Sequence, residues 1–277
     1  MEPVIKVEQL WHIYKKGNVT ALKGVSLDIN PGEIIGIIGQ NGSGKTTLVK
    51  HFVGLLKPTK GHVYINGEDT APLKVQQLAA KVGYVYQNPN HQLFARTVKD
   101  ELEFGPRNLD LPEDEIADRV EKAVAFFGLE QFLDLHPYRI SFPLRKLVGM
   151  ASIYTMKPDV FILDEPTTGQ DNVTTQTVYR LIRKLRAEGS TVLCVAHDMI
   201  LLAEVVDRML VLRDGDLIMD GTPKEVFSNN EIMSSTHLTP PQITTLSLRL
   251  REKYEAFDDI ILSVDEMVQM SLKSAEN

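Results

Sequence analysis

Eight consecutive residues, Gly39-Gln40-Asn41-Gly42-Ser43-Gly44-Lys45-Thr46, have the types and spacing to hold a polyphosphate. They follow the apolar run Ile34–Ile38, which reads as a buried strand, and they open into a helix predicted over Thr46–Leu56. A glycine turn between strand and helix leaves several backbone N–H groups aimed at one point, and the helix N-terminus adds partial positive charge there. Gly42 and Gly44 let the backbone close in, Lys45 can reach the β- and γ-phosphates, and the Thr46 hydroxyl suits Mg²⁺. Asn41, Ser43 and Thr47 complete this candidate nucleotide-binding set.

Hydrolysis needs acids opposite the phosphates. Asp159-Val160-Phe161-Ile162-Leu163-Asp164-Glu165-Pro166 places paired carboxylates at the end of an apolar strand. Asp164 is the candidate Mg²⁺ holder, through its water, and Glu165 the candidate for polarising the water that attacks the γ-phosphate. Gln87 ends the strand Val82–Tyr86, on the side of a parallel sheet where ligands collect, and its amide oxygen can meet the metal or the attacking water. His197 ends the buried strand Thr191–Ala196 and can donate to the γ-phosphate.

The elements that must position these groups alternate between strand and helix. Val4–Tyr14 and Leu22–Ile29 read as two strands of a small β-layer ahead of the phosphate loop. Tyr14 is a candidate for stacking on adenine, with filling of the β-layer the alternative reading; His12 reads as a surface or core residue. After a short strand at His62–Ile65 and a helical piece at Leu73–Ala80, residues 91–155 interrupt the alternation. They read as a helical insert, with helices predicted over Thr97–Phe104, Pro112–Phe127 and Leu144–Thr155. Asp100, Glu101 and Glu103 read either as a solvated helix start or as a docking surface for a basic partner helix. A helix over Val173–Arg186 and a hairpin around Asp214-Gly215 complete a domain at residues 1–225. From Thr222 the composition changes. Ser228-Asn229-Asn230 and Ser234-Ser235-Thr236 suggest a linker, followed by helices over Gln242–Lys253 and from Ser263, a small packing or dimerisation extension at residues 226–277.

Whole-chain quantities narrow the function class. A formal net charge of -7 argues against nucleic acid as a partner and against direct adhesion to an anionic membrane face. Cys194 is the only cysteine and lies in the apolar run Val192–Val195, so it reads as a core thiol, without an intramolecular disulfide. No secretory leader and no membrane-spanning run is evident, and the chain reads as soluble and cytoplasmic.

In their order along residues 1–225, the phosphate loop, Gln87, Phe161–Pro166, Asp171 and His197 resemble the ATP-binding subunit of an ABC transporter. Gln87-Asn88-Pro89, Gln92–Ala95, Phe104-Gly105-Pro106 and the tail Pro240-Pro241-Gln242-Ile243-Thr244 resemble the energy-coupling-factor, CbiO-like importers in particular. The resemblance implies an α/β fold: a P-loop NTPase, RecA-like core with an N-terminal antiparallel β-layer, the helical insert and the C-terminal α-rich extension. It also implies ATP and Mg²⁺ as ligands and adenine stacking by Tyr14. Two ATPase subunits would pair head-to-tail, each ATP meeting the partner's signature loop, with Ser141 serving the partner's site and Asp171 contacting the partner subunit. The pair would drive a transmembrane coupling protein and a substrate-capturing membrane protein, importing vitamins or transition-metal ions from a peripheral position on the cytoplasmic face of the cell membrane. The stretch around Asp100, Glu101 and Glu103 would line the groove that receives the coupling helices.

The chain departs from the family at the signature. Where the family has Leu-Ser-Gly-Gly-Gln, it has Ile140-Ser141-Phe142-Pro143-Leu144. Pro143 has no N–H to offer the partner's γ-phosphate and Phe142 blocks close backbone approach. Each lost charge-assisted hydrogen bond costs roughly 1.5–3 kcal/mol, on the order of tenfold or more in rate. Arg145 is the nearest compensating group, and Gln170 replaces the family's usual leucine. Intact Glu165 and His197 beside a degenerate signature suggest one half of an asymmetric ATPase heterodimer. The alternatives are an ATP-binding, weakly or non-hydrolysing structural subunit and a soluble ABC protein acting on ribosomes or DNA; proteins of the latter kind usually carry two ATPase units or a long coiled-coil insert, and neither is read in this sequence. Replacing Lys45 by Ala is expected to weaken ATP binding by about tenfold to a hundredfold, measured by titration with a fluorescent ATP analogue.

Overall fold

The N-terminal alternation folds as two long strands, β1 (Ile5–Tyr14) and β2 (Val19–Ile29), joined through Gly17 and Asn18, both at positive φ. The computed structural model describes residues 2–254 and 259–275. β3 (Ile34–Ile38) is buried along its whole length and leads through the glycine turn to α1 (Lys45–Phe52). α1 stops four residues short of the expected Leu56, because Gly54 at φ +71 turns the chain. β4 (Lys60–Ile65) and β5 (Glu68–Asp69) complete an antiparallel layer in the order β2-β1-β4-β5.

The second sheet is mostly parallel and carries the chemistry. After α2 (Val75–Ala79) come β6 (Val82–Val85) and the helical insert, α3 (Val98–Asn108), α4 (Glu113–Phe127) and α5 (Phe142–Tyr154). β7 (Val160–Asp164), α6 (Asn172–Ala187), β8 (Thr191–Val195) and α7 (Met199–Val205) restore the alternation, and β9 (Arg208–Arg213) with β10 (Asp216–Gly221) forms the terminal hairpin. The strand order is β10-β9-β3-β8-β7-β6, with only β10 running against its neighbour. One face of this sheet packs with α1 under the antiparallel layer, through Ile35, Ile37, Leu48 and Phe52; the other packs on the insert and the later helices. β3, β7 and β8 are therefore buried on both faces, which is why they appear in the sequence as continuous apolar runs.

Two further segments depart from the sequence reading. α3 continues to Asn108 through Pro106, past the expected end at Phe104. A proline there cannot donate to the Leu102 carbonyl one turn earlier, and the Thr155 hydroxyl donates to it instead, at 2.9 Å. The expected linker is two short helices, α8 (Pro223–Ser228) and α9 (Asn230–Thr236). Thr222 and Glu225 form a capping box before the first and Asn229 caps the second, while Val226, Phe227 and Met233 sink into the core. α10 (Gln242–Arg251) and α11 (Val264–Ala275) follow, with the Ser263 hydroxyl accepting from the Glu266 N–H at 3.2 Å. No helix among the described residues is long and apolar enough to cross a membrane.

His12 and His51 form a buried pair between β1 and α1. The Thr47 carbonyl can only accept, so His51 donates to it from Nδ1 at 2.7 Å and receives the His12 Nδ1–H on Nε2 at 3.1 Å. Burial, foremost, pulls His51 down from 6.5 to about 4. The native state therefore resists a proton that the unfolded chain takes up, so stability is complete above pH 6.5 and falls as the pH drops toward 4. The loss reaches about 3 kcal/mol at most, and His51→Leu is expected to flatten that slope in urea unfolding series recorded at stepped pH.

Candidate active site

The parallel order of β3, β8, β7 and β6 brings their C-terminal ends to one edge, so residues far apart in sequence converge there. A cavity of about 520 Å³ at this edge is lined from one side by Asn41, Gly42, Gly44, Lys45, Thr46 and Thr47. Gln87, Asp164, Glu165 and His197 line the other side, and Tyr14 with Thr20 and Ala21 closes the end toward the antiparallel layer. A larger cavity of about 700 Å³, between α7 and the C-terminal helices, holds no comparable set of groups.

The glycines in the loop are there for conformation and clearance. Gly42 has φ +82 and a Cβ on it would meet no atom within 4 Å, whereas one on Gly44, at φ +106, would lie 2.7 Å from the Ala21 carbonyl oxygen. The Lys45 ammonium donates to the carbonyls of Gly39 at 2.7 Å and Gln40 at 2.9 Å, and burial lowers its pKa while Glu165 and Asp164 raise it. Ser43 differs from its neighbours: its side chain is buried, it does not line the cavity, and its carbonyl accepts from the Gly215 N–H at 3.1 Å.

Across the cavity, Tyr84 donates to Asp164 Oδ2 at 2.6 Å. Burial pushes the Asp164 carboxyl above its ordinary value, the Glu165 charge adds to this, and the tyrosine hydroxyl opposes both. Glu165 has a left-handed backbone, φ +50, and its carboxylate accepts from Thr168 Oγ1 at 3.0 Å and lies 3.5 Å from His197 Nε2. Tyr14 is partly exposed, edge-on to His12 at 4.6 Å, and its hydroxyl shares a hydrogen bond with Thr47 Oγ1 at 3.1 Å. Gln87 is exposed at the rim.

Ser141 and Asp171 lie outside this cavity. Ser141 is exposed at the N-cap of α5, and Asp171 caps α6 by accepting from the Thr174 N–H and hydroxyl, both at 2.8 Å. Pro143 occupies the first turn of α5, where a helix tolerates it but presents one N–H fewer. Arg145 is engaged within the chain, donating to Asn90 Oδ1 at 2.8 Å and stacking near Tyr138. Cys194 is wholly buried and its thiol is pushed up to about 12.

The acidic cluster on α3 is divided, with Asp100 exposed in the first turn. Glu101 is buried, accepting the N–H groups of Phe94 and Ala95, and Glu103 pairs with Lys99 and Arg107. The groove beside it, about 510 Å³, is instead apolar, with Phe94 and Phe104 exposed and edge-to-face at 4.6 Å.

Sequence reasoning missed Tyr84 and Lys146. Tyr84 reads as one more apolar residue of a strand, although alternation from the end of β6 places it toward Asp164. Lys146 is fully buried in α5, and its ammonium donates to the carbonyls of Glu165 and Thr168. A lysine directly before the apolar run Leu147–Ala151 was the available signal.

A glycine loop at a helix N-terminus facing two strand-end carboxylates defines a P-loop nucleoside triphosphatase. Residues 22–168 match the ABC transporter family. Over 273 residues the chain is 40% identical to the energy-coupling factor transporter ATP-binding protein EcfA1 of Caldanaerobacter subterraneus subsp. tengcongensis, covering 96% of this chain and 98% of that one. A putative ABC transporter ATP-binding protein of the same organism, TTE1589, is 40% identical over 265 residues, 96% of this chain but 45% of that longer one. The solved structure of cbiO1 from Clostridium perfringens, part of the ABC transporter complex cbiONQ, superimposes with a TM-score of 0.74 at 34% identity over 91% of this chain and 97% of its own. The chain belongs to the ABC transporter family, as an ATPase subunit of the energy-coupling-factor type.

Removing the tyrosine hydroxyl takes a donor from Asp164 and raises its pKa further. Tyr84→Phe is therefore expected to raise the Mg²⁺ needed for half-maximal ATP hydrolysis by roughly tenfold, and to move the acidic limb of the pH–rate profile to higher pH.

Proposed function

We propose that this chain hydrolyses ATP to energise an importer of vitamins or transition-metal ions, as one half of an asymmetric ATPase pair. The observation that carries this reading is a division within the chain. Tyr14, Asn41, Gly42, Gly44, Lys45, Thr46, Thr47, Gln87, Asp164, Glu165 and His197 line one cavity, whereas Ser141-Phe142-Pro143, at the N-terminus of α5, lies outside it.

In this reading the loop N–H groups around Gly42 and Gly44, with the N-terminus of α1, hold the β- and γ-phosphates, and Lys45 exchanges its two loop carbonyls for phosphate oxygens. Tyr14 covers the adenine. Thr46, Gln87 and Asp164 fit Mg²⁺, since they bring a hydroxyl, an amide oxygen and a buried carboxylate to the same cavity. The ion supplies charge neutralisation along the phosphates. Glu165, held by Thr168, polarises the attacking water, and His197 donates toward the γ-phosphate. A partner's intact signature closes this site, with Asp171 on the shared face. The partner's own ATP meets Ser141, Phe142 and Pro143 and turns over slowly. The apolar groove with Phe94 and Phe104 receives helices of the transmembrane coupling protein, and a further membrane protein captures the solute.

Two measurements test this. In the assembled complex, Glu165→Gln is expected to cut ATP hydrolysis at least about a hundredfold and to stop transport. The chain purified as a homodimer is expected to hydrolyse ATP at least about tenfold more slowly than the mixed complex; equal rates exclude the asymmetric pair.

A further inference from the structure

Helix α5 turns one face toward the segment that carries Glu165. Phe142 and Lys146 are four residues apart and so share that face. The Phe142 ring lies against Gly169, where an added Cβ would come within 3.0 Å of it. One turn further along, the fully buried Lys146 ammonium donates to the Glu165 carbonyl and, at 2.9 Å, to the Thr168 carbonyl. Both ends of the turn between β7 and α6 are thus fastened to the same helix.

That turn is strained at the residue whose aim matters. Glu165 sits at φ +50, a left-handed conformation that non-glycine residues seldom adopt. Its N–H is taken by the Val195 carbonyl at 2.7 Å and its carbonyl by Lys146, so the peptide groups on both sides of the strained residue are held. A buried ammonium is costly, and an apolar side chain would fill the same volume without that cost. Here the charge meets two backbone carbonyls, which is a means of fixing main-chain geometry. Burial also draws the lysine down to about 8, against the pull of Glu165 and Asp164.

We infer that Lys146 is a positioning residue: it locks the left-handed turn that aims the Glu165 carboxylate into the cavity, and ties that aim to the helix whose N-cap is Ser141. A displacement of α5 by whatever engages Ser141 then reaches the water-polarising carboxylate of the same chain, linking the two ATP sites of a pair. This rests on the role proposed above for Glu165.

The test uses the full-length chain purified in its complex. Lys146→Met is expected to lower kcat by at least about tenfold while KM for ATP and affinity for mant-ATP stay unchanged, and Lys146→Arg, which keeps charge and donors, to restore most of the rate. A Lys146→Met complex that hydrolyses ATP at the unmodified rate, or loses rate and nucleotide affinity together, overturns the inference. Should the Met variant not fold, Lys146→Gln replaces it: a loss confined to kcat supports the inference, and a full rate overturns it. Glu165→Gln is assayed alongside; if that variant keeps full hydrolysis, it is the assignment of Glu165 that fails. With Glu165→Gln inactive and Lys146→Met fully active, only the positioning role is lost.

Discussion

The phosphate loop is wedged between the two sheets, and the rest of the architecture follows from that constraint. A Cβ on Gly39 would lie 2.1 Å from the Leu212 carbonyl oxygen of β9, and one on Gly44 2.7 Å from that of Ala21 in β2. The hairpin at Asp214-Gly215 closes the wedge: Gly215 donates to the Ser43 carbonyl and accepts from the Lys23 N–H at 2.9 Å. A turn whose N–H groups must stay free for an anion cannot be held by those donors, so the protein holds it through sterics and through its carbonyls. The antiparallel layer thus braces the loop in addition to covering the end of the cavity with Tyr14.

Charges of opposite sign face each other across the cavity. Two carboxylates stand on one side and Lys45 on the other, and each buried ionisable group has hydrogen-bond partners in the protein: Lys45 with two carbonyls, Asp164 with Tyr84, Glu165 with Thr168. These partners lessen the desolvation penalty that each charge would otherwise carry. The site is ordered by contacts that do not depend on its ligands, a form of preorganisation that lowers the cost of binding.

Helix α5 links otherwise separate parts. Its first turn carries the departures from the signature, its buried face holds the Glu165 turn, and its far side receives Gln92, whose amide donates to the Gly149 carbonyl at 2.7 Å while accepting the Tyr86 N–H. Gln87, one residue beyond Tyr86, is therefore tied to the same helix. Phe94 and the apolar groove follow within the same segment, so a partner seated there would bear on both rims of the cavity through one rigid element. That is a contiguous physical connection; a coupling energy is a separate quantity, which double-mutant measurements supply.

The sequence by itself determined the parts whose signal is local. Doubly buried strands read as apolar runs, the spacing from Gly39 to Thr46 identified a phosphate turn, and the strand-end acids needed only two adjacent residues. Gly128, expected to end α4, does so in the left-handed conformation. Where local signals conflicted, the reading failed: the polar residues around Ser228 and Ser234 outweighed the capping box at Thr222, and only the burial of Phe227 and Met233 decided for helix. Tertiary structure alone decided what lies across the sheet from what. Tyr84 is 80 residues from Asp164, Lys146 is 19 from Glu165, and Thr155 is 53 from the carbonyl orphaned by Pro106. Each is a polar group whose partner is set by packing, and a buried polar group's meaning lies in its partner, which spacing along the chain does not encode.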